Sequence, residues 1–188
     1  MKTRTSLRLI PVVLAVLALA CFASSSFAYD PFPPAKAGKP KAIEAKAAFE
    51  RLKLLAGSWE GTSNETKDKA VVRYQVTSGG SVVMETLAPG GEYEMVTMYH
   101  LDGDELVLTH YCAAKNQPRM KLDRRKSTAD ELVFNFDGGT NIEPKKTGHM
   151  HALRLNFTGA DTVEAHWAYF KDGKSGGTAD FKFARKKS

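Results

Sequence analysis

Cysteine is nearly absent from this sequence: there are two in 188 residues, Cys21 and Cys112. Cys21 falls in the N-terminal leader described next, so the remainder holds Cys112 alone and no internal disulfide can form. Its stability must come from a core, and Cys112 reads as a small apolar residue of that core rather than a nucleophile. Long apolar runs are also missing beyond the N-terminus. An excess of one charge is missing where it would matter. The formal charge is +6, but Lys2, Arg4 and Arg8 leave with the leader, and from Gly57 to Ser188 there are 18 basic and 18 acidic residues. A nucleic-acid surface needs a basic face on the folded domain, and this balance offers none. Arg124-Arg125-Lys126 and Arg185-Lys186-Lys187 read as solvated strand ends.

Residues 1–28 have the layout of a secretory signal peptide. A basic start is followed by an apolar run from Leu9 to Ala20, about a dozen residues and too short to span a bilayer. Ser26-Phe27-Ala28 supplies small residues at the two positions that a signal peptidase reads. A membrane anchor, or a lipoprotein signal ending at Cys21, are the alternatives; Ala18 stands where the lipoprotein pattern favours Leu. Cleavage at Ala28 leaves 160 residues, the size of one ordinary domain. The expected destination is the periplasm or the exterior, with no transmembrane segment after cleavage. Residues 29–41, with Pro31, Pro33, Pro34, Pro40 and three lysines, read as an extended linker.

From residue 42 the pattern changes twice. Ala45, Ala48, Phe49, Leu52, Leu55 and Ala56 form one helical stripe, and Gly57 ends it. After Gly57 the period becomes two. Strands are expected near 58–64, 70–77, 81–88, 93–101, 105–112, 118–124, 131–137, 148–157, 162–170 and 177–186, punctuated by Ser78-Gly79-Gly80, Pro89-Gly90-Gly91, Asp102-Gly103-Asp104, Gly138-Gly139 and Asp172-Gly173. So many short strands with tight connections form an up-and-down meander. Closure removes its exposed edges, so a barrel is favoured over a two-sheet sandwich. The expected fold is all-β: a roughly ten-stranded antiparallel up-and-down barrel over 42–188, preceded by one short helix.

Alternation assigns the inner face. Leu106, Leu108, His110 and Cys112 share one side of their strand; His149, His151, Leu153, Leu155 and Phe157 share another; Leu132, Phe134 and Phe136 a third; Phe181, Phe183 and Arg185 a fourth. A two-residue turn at Gly79-Gly80 sets Tyr74 opposite Glu85 and turns both inward. A slip of one residue would reverse this. His166 falls on the outer side.

Gly57-Ser58-Trp59, following a short helix and opening the first strand, resembles the G-x-W of lipocalins and of related fatty-acid-binding and nitrobindin-like barrels. In those families the tryptophan closes one end and a late arginine packs across it. The resemblance therefore implies a barrel-closing pair, Trp59 and Arg185. The run Ser81 to Met120 (SVVMETLAPGGEYEMVTMYHLDGDELVLTHYCAAKNQPRM) resembles a group of bacterial exported lipocalin-like proteins of uncharacterised activity, and the likeness covers most of 52–186. It speaks to fold more than to activity. The final strand lacks the haem-ligating histidine of nitrobindin-like proteins, so a haem would have to use His149 or His151.

The leading functional expectation is a periplasmic binder of a small hydrophobic molecule or lipid, with Tyr74, Glu85, His110, His149, His151 and Trp167 as the polar and aromatic contacts. No catalytic residue, cofactor or metal ligand is assigned. His149 and His151, with His110 or Glu85 opposite, keep a metal, haem or enzymatic barrel as the alternative. The bulky phenylalanines keep a filled barrel serving as an interaction module. Gly173-Lys174-Ser175-Gly176-Gly177 matches the G-x-S-x-G of serine hydrolases in letters only, since that motif needs a helix after the turn. The oligomeric state is left open.

Overall fold

The apolar stripe anticipated after the linker does form a helix, α1 (Ala45–Lys53), with Ala45, Ala48, Phe49 and Leu52 buried. Leu55 is buried too, whereas Ala56 is exposed because the helix has already ended. The structure is a computed structural model that describes residues 42–64 and 67–187. The leader 1–28 and the linker 29–41 lie outside the described residues. No described helix is long and apolar enough to cross a membrane.

Ten strands follow: β1 (Gly57–Ser63), β2 (Lys69–Thr77), β3 (Val82–Leu87), β4 (Met95–Asp102), β5 (Glu105–Tyr111), β6 (Gln117–Leu122), β7 (Glu131–Thr140), β8 (His149–Gly159), β9 (Thr162–Lys171) and β10 (Lys174–Arg185). Each pairs antiparallel with its sequence neighbours, and β1 pairs with β10, so the sheet closes into a barrel with no free edge.

One expected turn and one strand start differ from the structure, while the turn at Asp172-Gly173 is present. Gly138-Gly139 is not a turn: β7 runs through it to Thr140. The glycines serve the irregular pairing with β6 near Pro118, where a Cβ on Gly139 would come within 2.6 Å of the Gln117 carbonyl oxygen. The chain turns later, between Asn141 and Gly148. Likewise β10 begins at Lys174 rather than 177, with a bulge between Ser175 and Gly177. The G-x-S-x-G letters therefore lie in a β-hairpin, and no helix follows them.

One apolar cluster lines the barrel interior and extends under α1, which packs on β4 and β5 and covers the end where β1 starts. Trp59 is buried in that end. Its indole N–H donates to the Leu55 carbonyl at 2.8 Å, and the Arg185 guanidinium lies 4.2 Å from its ring centroid. Each Arg185 guanidinium nitrogen donates one bond, to Asp161 (2.9 Å) and to the Ala56 and Leu54 carbonyls (both 2.8 Å). Gly57 permits this approach. Its φ is +132°, and a Cβ there would sit 3.0 Å from the arginine. A second, small cluster of Val133, Ala152 and Ala168 lies apart from the main one.

Candidate functional site

The polar groups buried in the barrel are not scattered. Register places Tyr74 on β2 opposite Glu85 on β3, Glu85 opposite Thr97 on β4, and Thr97 opposite His110 on β5. The four form one row across the wall, at relative exposures of 3, 4, 1 and 2%. Tyr99, two residues along β4 and hence on the same face, is fully buried and donates its hydroxyl to the Glu85 carboxyl at 2.6 Å. The Tyr74 hydroxyl hydrogen-bonds the same carboxyl.

This environment changes the chemistry of the row. Burial pushes the Glu85 carboxyl up to about 7, against the two tyrosine hydrogen bonds, which pull it down. Burial and the neighbouring Glu85 raise both phenols well above their ordinary value, so they remain donors. Burial pushes His110 down to about 4, so its ring is neutral near pH 7. One ring nitrogen, Nδ1, bonds the Thr97 hydroxyl at 2.9 Å; the other, Nε2, is buried without a partner. The ring packs 4.6 Å from Trp167 on β9. β5 and β9 are not neighbours in the sheet, so this contact crosses the barrel interior.

His149 and His151 form a separate group. A bulge in β8 at His151 shifts the pairing with β9: Met150 aligns with Tyr169 and packs on the main core, while His149 aligns with Phe170. The bulge interrupts strict alternation between Leu153 and His149, yet His149 stays fully buried with its ring 4.6 Å from that of Phe136. The two imidazoles nonetheless touch, Nε2 of His149 to Nδ1 of His151 at 3.0 Å. His149 Nδ1 lies 2.7 Å from the Thr147 carbonyl, which can only accept. A neutral His149 thus donates there and accepts from His151, leaving a lone pair on Nε2 of His151. His151 is stacked between Phe170 (3.9 Å) and Phe136 (5.0 Å), and burial together with His149 lowers it to about 4.

The six residues singled out from sequence thus fall into two sets. Tyr74, Glu85, His110 and Trp167 come together inside the barrel; His149 and His151 pair with each other beside Phe136 and Phe170. Neither His110 nor Glu85 joins the histidine pair. Among the described residues no group of three or more His, Cys, Asp or Glu is placed to hold a metal ion. His166 bonds Asp180 at 3.0 Å, away from both sets. Thr97 and Tyr99 were missed, although Tyr99 is the residue that fixes the carboxyl. Two surface depressions of about 360 and 410 Å³ lie at the helix end; both include Arg124, and no residue of the row lines either.

No protein-family model matches the chain, and no curated protein matches it. Among solved structures it is similar to a protein of unknown function from the DUF3598 family of Nostoc punctiforme, at 11% identity and a TM-score of 0.45, over 72% of this chain and 49% of that one. The chain therefore spans about half the length of that protein. A closed ten-stranded barrel of this kind is compatible with holding a small ligand.

Proposed function

We propose that this protein is an exported binder of a small molecule with an apolar body, taken into the barrel with its polar head at the Tyr74–Glu85–Thr97–His110 row. One observation carries the reading: a desolvated carboxyl and an unpartnered imidazole nitrogen stand in one row, two strands apart with Thr97 between them, in an otherwise apolar interior. Burying a polar group without a partner costs about 1–3 kcal/mol. A few convergent polar groups among aliphatic and aromatic walls are the usual composition of a ligand site. The periplasmic or secreted location rests on the leader-like residues 1–28, and kinship with lipocalin-like barrels on the Gly57-Ser58-Trp59 and Arg185 pattern.

The test is native mass spectrometry of the protein purified gently from exporting cells, with an absorbance spectrum of the same sample. An organic adduct without visible absorbance supports the reading, and its loss in His110→Leu places it at the row. A bare polypeptide mass that persists after incubation with lipid extract favours a filled barrel and counts against it. A second reading has its own observation. The lone pair left on Nε2 of His151, whose ring is held between two phenylalanines, is a ready axial donor, and a Soret band lost in His151→Ala would move a haem function ahead of the first.

A further inference from the structure

Resting on that binding reading, we infer that the ligand is a lipophilic amine: an ammonium head paired with the Glu85 carboxylate, in the row that leads through Thr97 to His110 and Trp167, on an apolar tail. The inference comes from what the interior holds. Among the described residues no lysine or arginine is buried, and the buried ionisable side chains with acidic protons or basic nitrogens are Glu85, the two phenols Tyr74 and Tyr99, and the histidines His110 and His149. An anionic head, such as a fatty-acid carboxylate, would meet Glu85 with no cation to offset it, and repulsion between like charges is strong where water is excluded. An ammonium head meets the opposite. The ionised carboxyl offers more acceptor positions than Tyr74 and Tyr99 occupy. The Trp167 ring is the aromatic surface that favours a cation. The His110 ring, with its unpartnered Nε2, packs on that same indole and offers the molecule a further polar contact along the row. Leu108 and Met120, cross-strand partners in the core next to His110, and Leu153, opposite Trp167, supply the wall for a tail.

The pH behaviour follows from the groups facing Glu85, which are Tyr74 from β2 and Thr97 and Tyr99 from β4, with His110 further along the row on β5. The phenols stay protonated and His110 stays neutral between pH 5 and 8. Glu85 is the group that titrates there, near 7. An ammonium binds the ionised carboxyl, so affinity is full above pH 7 and falls by up to about tenfold per pH unit below it.

The experiment is a titration of tryptophan fluorescence with three twelve-carbon probes below their micellar concentrations, dodecylamine, dodecanol and dodecanoate, at pH 6, 7 and 8. Dodecylamine is expected to bind at least about tenfold tighter than dodecanoate at pH 8 and to weaken toward pH 6, while dodecanol shows no such trend. Glu85→Gln should erase the preference. Should Glu85→Gln fail to fold, Tyr99→Phe serves: losing one hydrogen bond to the carboxylate should move the weakening of dodecylamine to higher pH. Tighter binding of dodecanoate, or equal binding of amine and alcohol at every pH, overturns the amine inference and leaves the binding reading standing. Binding of none of the three overturns both.

Discussion

The helix end of the barrel and the polar row across its wall satisfy their polar groups in opposite ways. At the helix end the Trp59 indole N–H and each of the three Arg185 guanidinium nitrogens find a partner, and the guanidinium covers the ring. Along the Tyr74–His110 row a carboxyl is stripped of water and an imidazole nitrogen is left without a partner. Both regions are buried and both mix aromatic with polar side chains. Completeness of hydrogen bonding separates them: the first is built to hold the fold together, whereas the second gives up stability to keep polar atoms available.

If that contrast is right, the largest loss comes from the closed end. Trp59→Ala empties a fully buried ring site and removes the surface on which Arg185 rests. Its expected cost is about 3–5 kcal/mol, as for other large aromatic truncations in cores. Urea denaturation followed by circular dichroism measures it. A loss below that of an ordinary surface substitution would erase the distinction between the two regions.

The row predicts an unusual pH profile. The folded pKa of Glu85 is raised, from 4.5 to about 7. Its favourable contribution is present below pH 4.5 and is lost as pH rises through 7, roughly 3 kcal/mol in all at about 1.4 kcal/mol per pH unit. His110 and His151 act in the other sense. Both are lowered from 6.5 to about 4, so the unfolded chain takes up protons first and stability falls as pH drops from 6.5 toward 4. The half-exposed His151 contributes less than its shift suggests. Opposing slopes place maximal stability near neutral pH. Glu85→Gln should flatten the alkaline side and steepen the acid side. An unchanged profile in thermal melts from pH 4 to 9 would show that Glu85 is not desolvated.

A smaller effect of opposite sign is expected at His110. His110→Leu, combined with Thr97→Val so that no buried hydroxyl loses its imidazole partner, removes the orphan nitrogen while keeping an apolar side chain against Trp167. It should stabilise the protein by about 1 kcal/mol, the lower end of the penalty for a buried unpaired polar atom. The same change should weaken ligand capture. A destabilised double variant would mean that the imidazole is a structural member of the core, and the two regions would then differ less than the geometry suggests.

The strand count and the pairing of Tyr74 with Glu85 could be read from sequence because turns are local. Gly79-Gly80 sits at the centre of its hairpin, and that alone fixes the register of β2 on β3. Thr97 and Tyr99 could not be placed. The loop from Ala88 to Glu94 is long enough to allow several registers of β4, so nothing local sets Thr97 opposite Glu85. The bulge at His151 carries no glycine or proline to announce it, and one extra residue is enough to interrupt strict alternation between Leu153 and His149. Gly138-Gly139 misled in the other direction: two glycines that resemble a turn instead let β7 pass Pro118 closely. The site was thus legible as a set of residue types, and its geometry depended on non-local pairing.

The smallest effect tests how the closed end is held. Asp161 accepts from Arg185 Nε but is 69% exposed at its side chain, while the arginine is 28% exposed. Exposed ion pairs contribute less than about 1 kcal/mol, and salt screens them. The bonds from Arg185 to the Ala56 and Leu54 carbonyls join the last strand to the end of the helix and do not depend on a countercharge. Asp161→Asn should therefore cost less than about 1 kcal/mol, and the cost should disappear in 1 M salt. A larger, salt-insensitive loss would mean that Asp161 orients the guanidinium over Trp59. The closed end would then rely on a single exposed carboxylate rather than on the backbone carbonyls beneath it.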